Sequence, residues 1–236
     1  MAEAGTMSNL HFHRFENDDI LAHSLARTIA ENLKDAIAEK GEASLIVSGG
    51  STPKKFFHRL SQIDLPWEKV KIGLCDERWV PPSHQDSNEK LVRENLMIAY
   101  ASKATFIGMF IDGVEAFVAQ SDCSEKIKSL FPSFDVMVLG MGEDAHTASL
   151  FPQNPKLKEA FKSDLYCIAI EPSTAPHLRM SLTLSAILSS KHLYLHFQGE
   201  KKLSLYHQGL EGSDCMEMPI RAILHQPSTD IEVYTA

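Results

Sequence analysis

Apolar residues recur at helical spacing near the start of the chain: Ile20, Leu21, Leu25, Ile29, Leu33 and Ile37. This period predicts a helix over 19–40, and Gly41 supplies a stop signal. A short apolar run over 43–47 follows and predicts a strand, after which a second helix starts near Pro53, a residue suited to a first turn. The same alternation continues. Strands are expected over 70–75, 134–139, 165–170, 181–184, 192–197 and 230–234. Helices are expected over 86–97, with Ser87-Asn88 marking the start, and over 199–210 and 219–224. Strands alternating with helices indicate a mainly parallel sheet covered on both faces. No repeat, low-complexity tract or long linker divides the chain, so the expectation is one three-layer α/β domain over 1–236 with a Rossmann-like sheet.

Composition narrows the class. The chain is 44% hydrophobic and 23% charged, ordinary for a globular protein. A formal charge of -8 argues against a nucleic-acid surface, which rests on a positive patch, but leaves room for a positive pocket and a small anionic ligand. Cysteines 75, 123, 167 and 215 form no CxxC pair, and Cys75 and Cys167 sit in apolar runs, as reduced buried thiols do. No apolar run is long enough to span a membrane, and the N-terminus lacks the apolar core of a signal peptide. The expected location is the cytoplasm; the natural start is either Met1 or Met7, the latter making residues 1–6 an added leader.

Parallel α/β sheets bind ligands beyond the carboxyl ends of their strands, and several polar clusters fall there. Ser48-Gly49-Gly50-Ser51-Thr52-Pro53 joins a strand to a helix; its glycines permit close ligand approach and the helix amides favour an anion, although a plain turn with a cap has the same composition. Cys75-Asp76-Glu77-Arg78 ends a buried strand in three charges. These are either exposed or paired, or they offer Arg78 to a substrate anion with Asp76 or Glu77 orienting it. Asn88 is expected to cap the next helix. In Gly140-Met141-Gly142-Glu143-Asp144-Ala145-His146, an acid and an imidazole leave a strand through two glycines. These either decorate a tight turn around a structural histidine, or they supply a general base suited to neutral pH, with Asp144 two residues earlier as the candidate to hold its tautomer. Arg179 and Lys201, in Pro176-His177-Leu178-Arg179 and Gly199-Glu200-Lys201-Lys202, are either solvated charges or the cationic side of a phosphate site. His58, His84 and His225 have no sequence neighbours that single them out.

Taken together, SGGSTP, CDERWVP with its later SN, LGMGEDAHTASLFP and PHLRMSLT resemble the 6-phosphogluconolactonase family, in that family's order, with compatible GEKK and MPIRAIL segments. The resemblance implies a single α/β domain shared with sugar-phosphate isomerases and deaminases. It also implies hydrolysis of 6-phospho-D-glucono-1,5-lactone, the second step of the oxidative pentose phosphate pathway, without metal or organic cofactor. By position, His146 corresponds to the base that deprotonates water, Asp144 orients it, and Arg78 stands beside substrate oxygens. Gly49, Gly50, Ser51 and Thr52 would line the sugar-phosphate site with Asp76, and Arg179 and Lys201 would contact phosphate. Ala145 departs from the family's usual glycine, which is needed there either for positive φ or for close ligand approach. Two rivals are a glucosamine-6-phosphate deaminase-like enzyme, whose DEY-type and FNEP-type segments are replaced here, and a non-catalytic sugar-phosphate sensor, for which no DNA-binding segment is evident.

Overall fold

The structure is a computed structural model that describes residues 9–173 and 175–236; residues 1–6, an added leader if Met7 is the natural start, lie outside them. The chain runs β1 (Leu10–Arg14), α1 (Asp18–Lys40), β2 (Ala43–Val47), α2 (Lys54–Ser61), β3 (Val70–Leu74), β4 (Asp76–Arg78), α3 (Asn88–Asn95), β5 (Thr105–Phe106), α4 (Ala116–Leu130) and β6 (Val136–Gly140). It continues through α5 (Leu157–Lys162), β7 (Cys167–Ile170), β8 (Arg179–Leu182), α6 (Leu184–Leu188), β9 (His192–Phe197), α7 (Glu200–Glu211), α8 (Arg221–Leu224) and β10 (Ile231–Thr235). Seven strands form one sheet in the order β1-β10-β9-β6-β2-β3-β5, every neighbouring pair parallel. Helices flank it, and the expected single α/β architecture is the one observed.

Local chemistry explains the ends of the elements. The Asn17 side chain accepts the Asp19 and Ile20 N–H groups, and Asp18 and Asp19 complement the helix dipole, so α1 starts where it does. Gly41, at φ +85°, ends it in the left-handed conformation that glycine adopts without a Cβ penalty. β2 is buried at every position and sits mid-sheet between β3 and β6, which is why its sequence is apolar on both faces except at Ser44, whose hydroxyl donates to Asp135. Cys75, Cys123 and Cys167 are free and buried, as reduced core residues. Among the described residues no helix is long and apolar enough to cross a membrane.

Three features depart from expectation. A second, three-stranded antiparallel sheet, β4-β8-β7, stands beside the parallel one. The strand expected over 181–184 begins earlier, at Arg179, and ends at Leu182. Thr183 then caps α6 through its side chain, which accepts the Ala186 N–H, so Leu184 is helical. Ser87, not Asn88, caps α3: its Oγ accepts the Lys90 N–H, which frees the Asn88 amide for other work.

Candidate active site

A cavity of about 370 Å³ opens at the carboxyl ends of β2 and β6. One wall is the segment from Ser48 to Pro53. Ser48 Oγ accepts the Gly140 N–H, tying this loop to the end of β6. Gly50 has φ +89°, and a Cβ on Gly49 would overlap the Asn88 side-chain amide, so both glycines are structural requirements of the loop. No side chain caps α2, whose first turn follows Ser51 and Thr52 into the cavity wall. Uncapped helix amides of this kind suit an anion.

The second wall comes from β4 and β8. Asp76 Oδ2 accepts the Ser149 hydroxyl at 2.5 Å, and the Asp76 carbonyl accepts Asn88 Nδ2. Glu77 points the other way and is almost fully buried. Its carboxylate accepts the N–H groups of Arg78, Asn88 and Glu89 at 2.7–2.8 Å and the Ser87 hydroxyl at 3.1 Å, which fastens the N-terminus of α3. Burial pushes the Glu77 carboxyl up to about 7, against the lowering effect of those N–H donors.

Arg78 and Arg179 are direct partners in the antiparallel β4–β8 register. Like charges placed opposite each other are unfavourable unless something between them is negative. Arg78 Nη1 donates to the Asp86 carbonyl at 2.7 Å and Arg179 Nη2 to the Pro176 carbonyl at 3.1 Å, so main-chain oxygens position both guanidiniums while their charge stays available. Arg179 is only 6% exposed, and its Nε has no partner. Burial lowers its pKa, opposed by the Asp76 carboxylate and reinforced by Arg78.

The third wall is the loop after β6. Gly142 N–H bonds to the His146 carbonyl at 2.8 Å, and a Cβ on Gly142 would strike the imidazole. That contact is why the second glycine is present. The ring packs on Phe151 with centroids 4.6 Å apart, and His146 Nδ1 lies 2.5 Å from Asp144 Oδ1. Burial raises the Asp144 carboxyl, but its hydrogen bond to His146 and the charge of the imidazole outweigh this and hold it below its ordinary value. With Nδ1 engaged, Nε2 is the nitrogen left to exchange a proton at the cavity. Ala145 has φ +64°, is buried, and its carbonyl accepts the Ile220 N–H. It does not line the cavity, so the demand at this position is on backbone conformation rather than on ligand approach.

The structure therefore brings Gly49, Gly50, Ser51, Thr52, Asp76, Arg78, His146 and Arg179 to one cavity, with Asp144 behind His146. Lys201 stands apart from them. Its side chain is 68% exposed, ion-pairs with Glu143 and lies outside the lining, whereas Lys202, the next residue of α7, lines the cavity. Burial lowers the Lys202 pKa, with Glu143 opposing. Sequence reasoning gave Asn88 a capping role and passed over His196; both line the cavity and carry buried atoms without partners, Asn88 Oδ1 and His196 Nε2. Burial, with Lys202 adding to it, lowers the His196 pKa to about 4, so this imidazole is neutral. Its place at the carboxyl end of a core strand, β9, was the only signal that could have found it.

Comparisons with known proteins find relatives along nearly the whole chain. Residues 16–232 match the family described as glucosamine-6-phosphate isomerases/6-phosphogluconolactonase. A 6-phosphogluconolactonase of Pseudomonas putida is 41% identical over 217 residues, 91% of this chain and 89% of the relative. One from Rhizobium meliloti is 40% identical over 228 residues, 96% of this chain and 98% of the relative. The crystal structure of a 6-phosphogluconolactonase from Shewanella baltica superposes with a TM-score of 0.94 at 45% identity, covering 98% of this chain and 99% of that one.

Proposed function

The chain belongs to the glucosamine-6-phosphate isomerase/6-phosphogluconolactonase family, and we propose that it acts as a lactonase on 6-phospho-D-glucono-1,5-lactone, with His146 activating the attacking water. It is an enzyme that hydrolyses a lactone, a reading supported by relatives named 6-phosphogluconolactonase over most of the chain. The observation that carries the mechanism is the His146–Asp144 pair at the cavity wall: a carboxylate that engages Nδ1 leaves Nε2 as the proton acceptor. Water attacks C1 of the lactone as Nε2 takes its proton, forming a tetrahedral oxyanion. The oxyanion collapses, the bond from C1 to the ring oxygen breaks, and the ring oxygen receives the proton back from His146. The resulting carboxylic acid then ionises.

A lactone is an activated ester, so no covalent nucleophile is required, and a general base contributes ~10²–10⁴-fold. Ser149 is already committed to Asp76 through its hydroxyl, which supports a structural role for it. Arg78 and Arg179 suit the phosphate or the developing oxyanion, and Lys202 takes the cationic place first expected of Lys201. The test is to generate the lactone in situ and follow 6-phosphogluconate with its dehydrogenase. Turnover must exceed spontaneous hydrolysis, or the assignment fails. His146→Ala is expected to lower kcat by ~10²-fold or more while the unfolding midpoint holds; near-normal kcat in that variant would remove His146 from the chemistry.

A further inference from the structure

Outside the wall that carries His146, the fold gathers three metal-ligating side chains that the proposed hydrolysis does not use. His84 lies on the connection between β4 and α3, Asp86 follows it, and His177 sits on the turn entering β8. One ligand atom from each lies within 4.8 Å of the others. Asp86 Oδ2 is 2.9 Å from His177 Nε2 and 3.8 Å from His84 Nδ1, and the two imidazoles meet edge to face with centroids 5.3 Å apart.

We propose that His84, Asp86 and His177 bind one divalent transition-metal ion, zinc by best fit, beside the two cavity arginines. Zinc bonds of about 2.0–2.1 Å in a tetrahedron require donor atoms roughly 3.3 Å apart. The two separations from Asp86 Oδ2 bracket that value, and the two imidazole donors lie within 4.8 Å of each other, so closure takes side-chain adjustment without backbone rearrangement. Two imidazole nitrogens and one carboxylate oxygen form a donor set for zinc, cobalt or nickel rather than for magnesium or calcium, which take oxygen.

A second observation bears on the tautomer. The main-chain N–H of Asp86 donates to His84 Nδ1 at 3.1 Å. A backbone amide can only donate, so Nδ1 carries a lone pair and the ring is already in the form that coordinates. The ion exchanges this hydrogen bond, and the one between His177 Nε2 and Asp86 Oδ2, for metal bonds, and the His177 ring gives up its Nε2 proton to the other nitrogen or to solvent. The three side chains are partly exposed, which leaves the remaining coordination positions to water.

The position gives the ion a consequence for the cavity. The Asp86 carbonyl holds Arg78, and the carbonyl of Pro176, next to His177, holds Arg179. An ion bridging Asp86 to His177 ties together the two segments that position the guanidiniums, without touching the reacting atoms. His177 has φ +67°, so its segment carries left-handed backbone that the ion would help to hold.

The experiment uses zinc ion alone on the full chain stripped with a chelator, read by titration calorimetry and by the thermal midpoint. One ion per chain is expected, with the midpoint raised because the ion binds only the folded form. His84→Gln and His177→Gln should each weaken binding by at least about 10-fold, the lower end for losing even an outer-shell partner of a metal site. Asp86→Asn, which keeps the side-chain shape, should do the same and guards against a folding defect in the histidine variants. His146→Gln should leave the zinc affinity intact. The absence of saturable binding overturns the proposal. So does binding that survives all three cluster variants, or that disappears with His146→Gln, because the ion would then sit at the His146–Asp144 pair.

Discussion

Ala145 carries the clearest cost at the level of one residue. A residue with a Cβ in the left-handed region gives up about 1–2 kcal/mol, while glycine at an ordinary position gives up roughly 0.5–1 kcal/mol of chain entropy. Ala145→Gly is therefore expected to stabilise the fold by about 0.5–1 kcal/mol, the difference between those two costs. Its side chain does not line the cavity, so kcat/KM should stay within about twofold, as for substitutions away from packed or functional groups. Denaturant midpoints of the two proteins check this, and a less stable glycine variant would mean that the buried methyl group packs well enough to offset its backbone. The sequence raised the question at Ala145 but could not choose between backbone and ligand, because φ depends on how the loop closes through Gly142 and Ile220. The exchange of Lys201 for Lys202 has a similar origin. Adjacent lysines on a helix point about 100° apart, and only the docking of α7 decides which one meets the cavity.

At the level of elements, the site depends on Glu77 holding the N-terminus of α3. Four donors converge on its two oxygens. Glu77→Gln substitutes an amide NH₂ for one acceptor, so donors face a donor. Below pH 7, where the raised carboxyl contributes most, the expected loss is about 1–3 kcal/mol, the cost of a buried donor left without its acceptor. Asn88 should shift with the helix and raise KM before kcat changes. Equal stability of the two proteins in denaturant titrations would show that α3 is held by its packing alone.

This element was partly legible. The DER triplet read as charges that are exposed, paired or functional, and Ser87-Asn88 read as a helix start; both statements suit the structure. The pairing of β4 with β8 was not legible, since a sequence pattern cannot register two short strands a hundred residues apart. That pairing sets Arg78 opposite Arg179 and builds the electrostatics of the cavity. Strand β1 was missed because its polar His11, His13 and Arg14 suit an edge position, which lacks a continuous apolar signal. Conversely β6, buried mid-sheet, announced itself through an unbroken apolar run, and β2 and β9 through runs interrupted by Ser44 and His196.

At the level of the whole molecule, the cavity and the anchor of α3 beside it hold two opposite responses to pH. Glu77 is raised in the folded chain to about 7 from 4.5, so its contribution to stability is full below the lower value and is lost as pH rises through the upper. His196 is lowered to about 4 from 6.5 by burial and Lys202, so its contribution is full above the upper value and is lost as pH falls through the lower. Across the window where both titrate the two slopes oppose, and the intact protein hides them. Removing one group exposes its share. Each pH unit separating the folded and unfolded values is worth about 1.4 kcal/mol. The stability difference between the intact protein and His196→Gln should therefore move by roughly 3 kcal/mol in the variant's favour as pH falls from near 7 to near 4. Urea titrations of both proteins at steps across that range measure the difference directly, so that protonation of carboxylates common to both cancels. A difference that stays constant with pH would mean that His196 is protonated alike in the folded and unfolded chains. The neutral imidazole at the carboxyl end of β9 would then not be a fixed feature of the cavity.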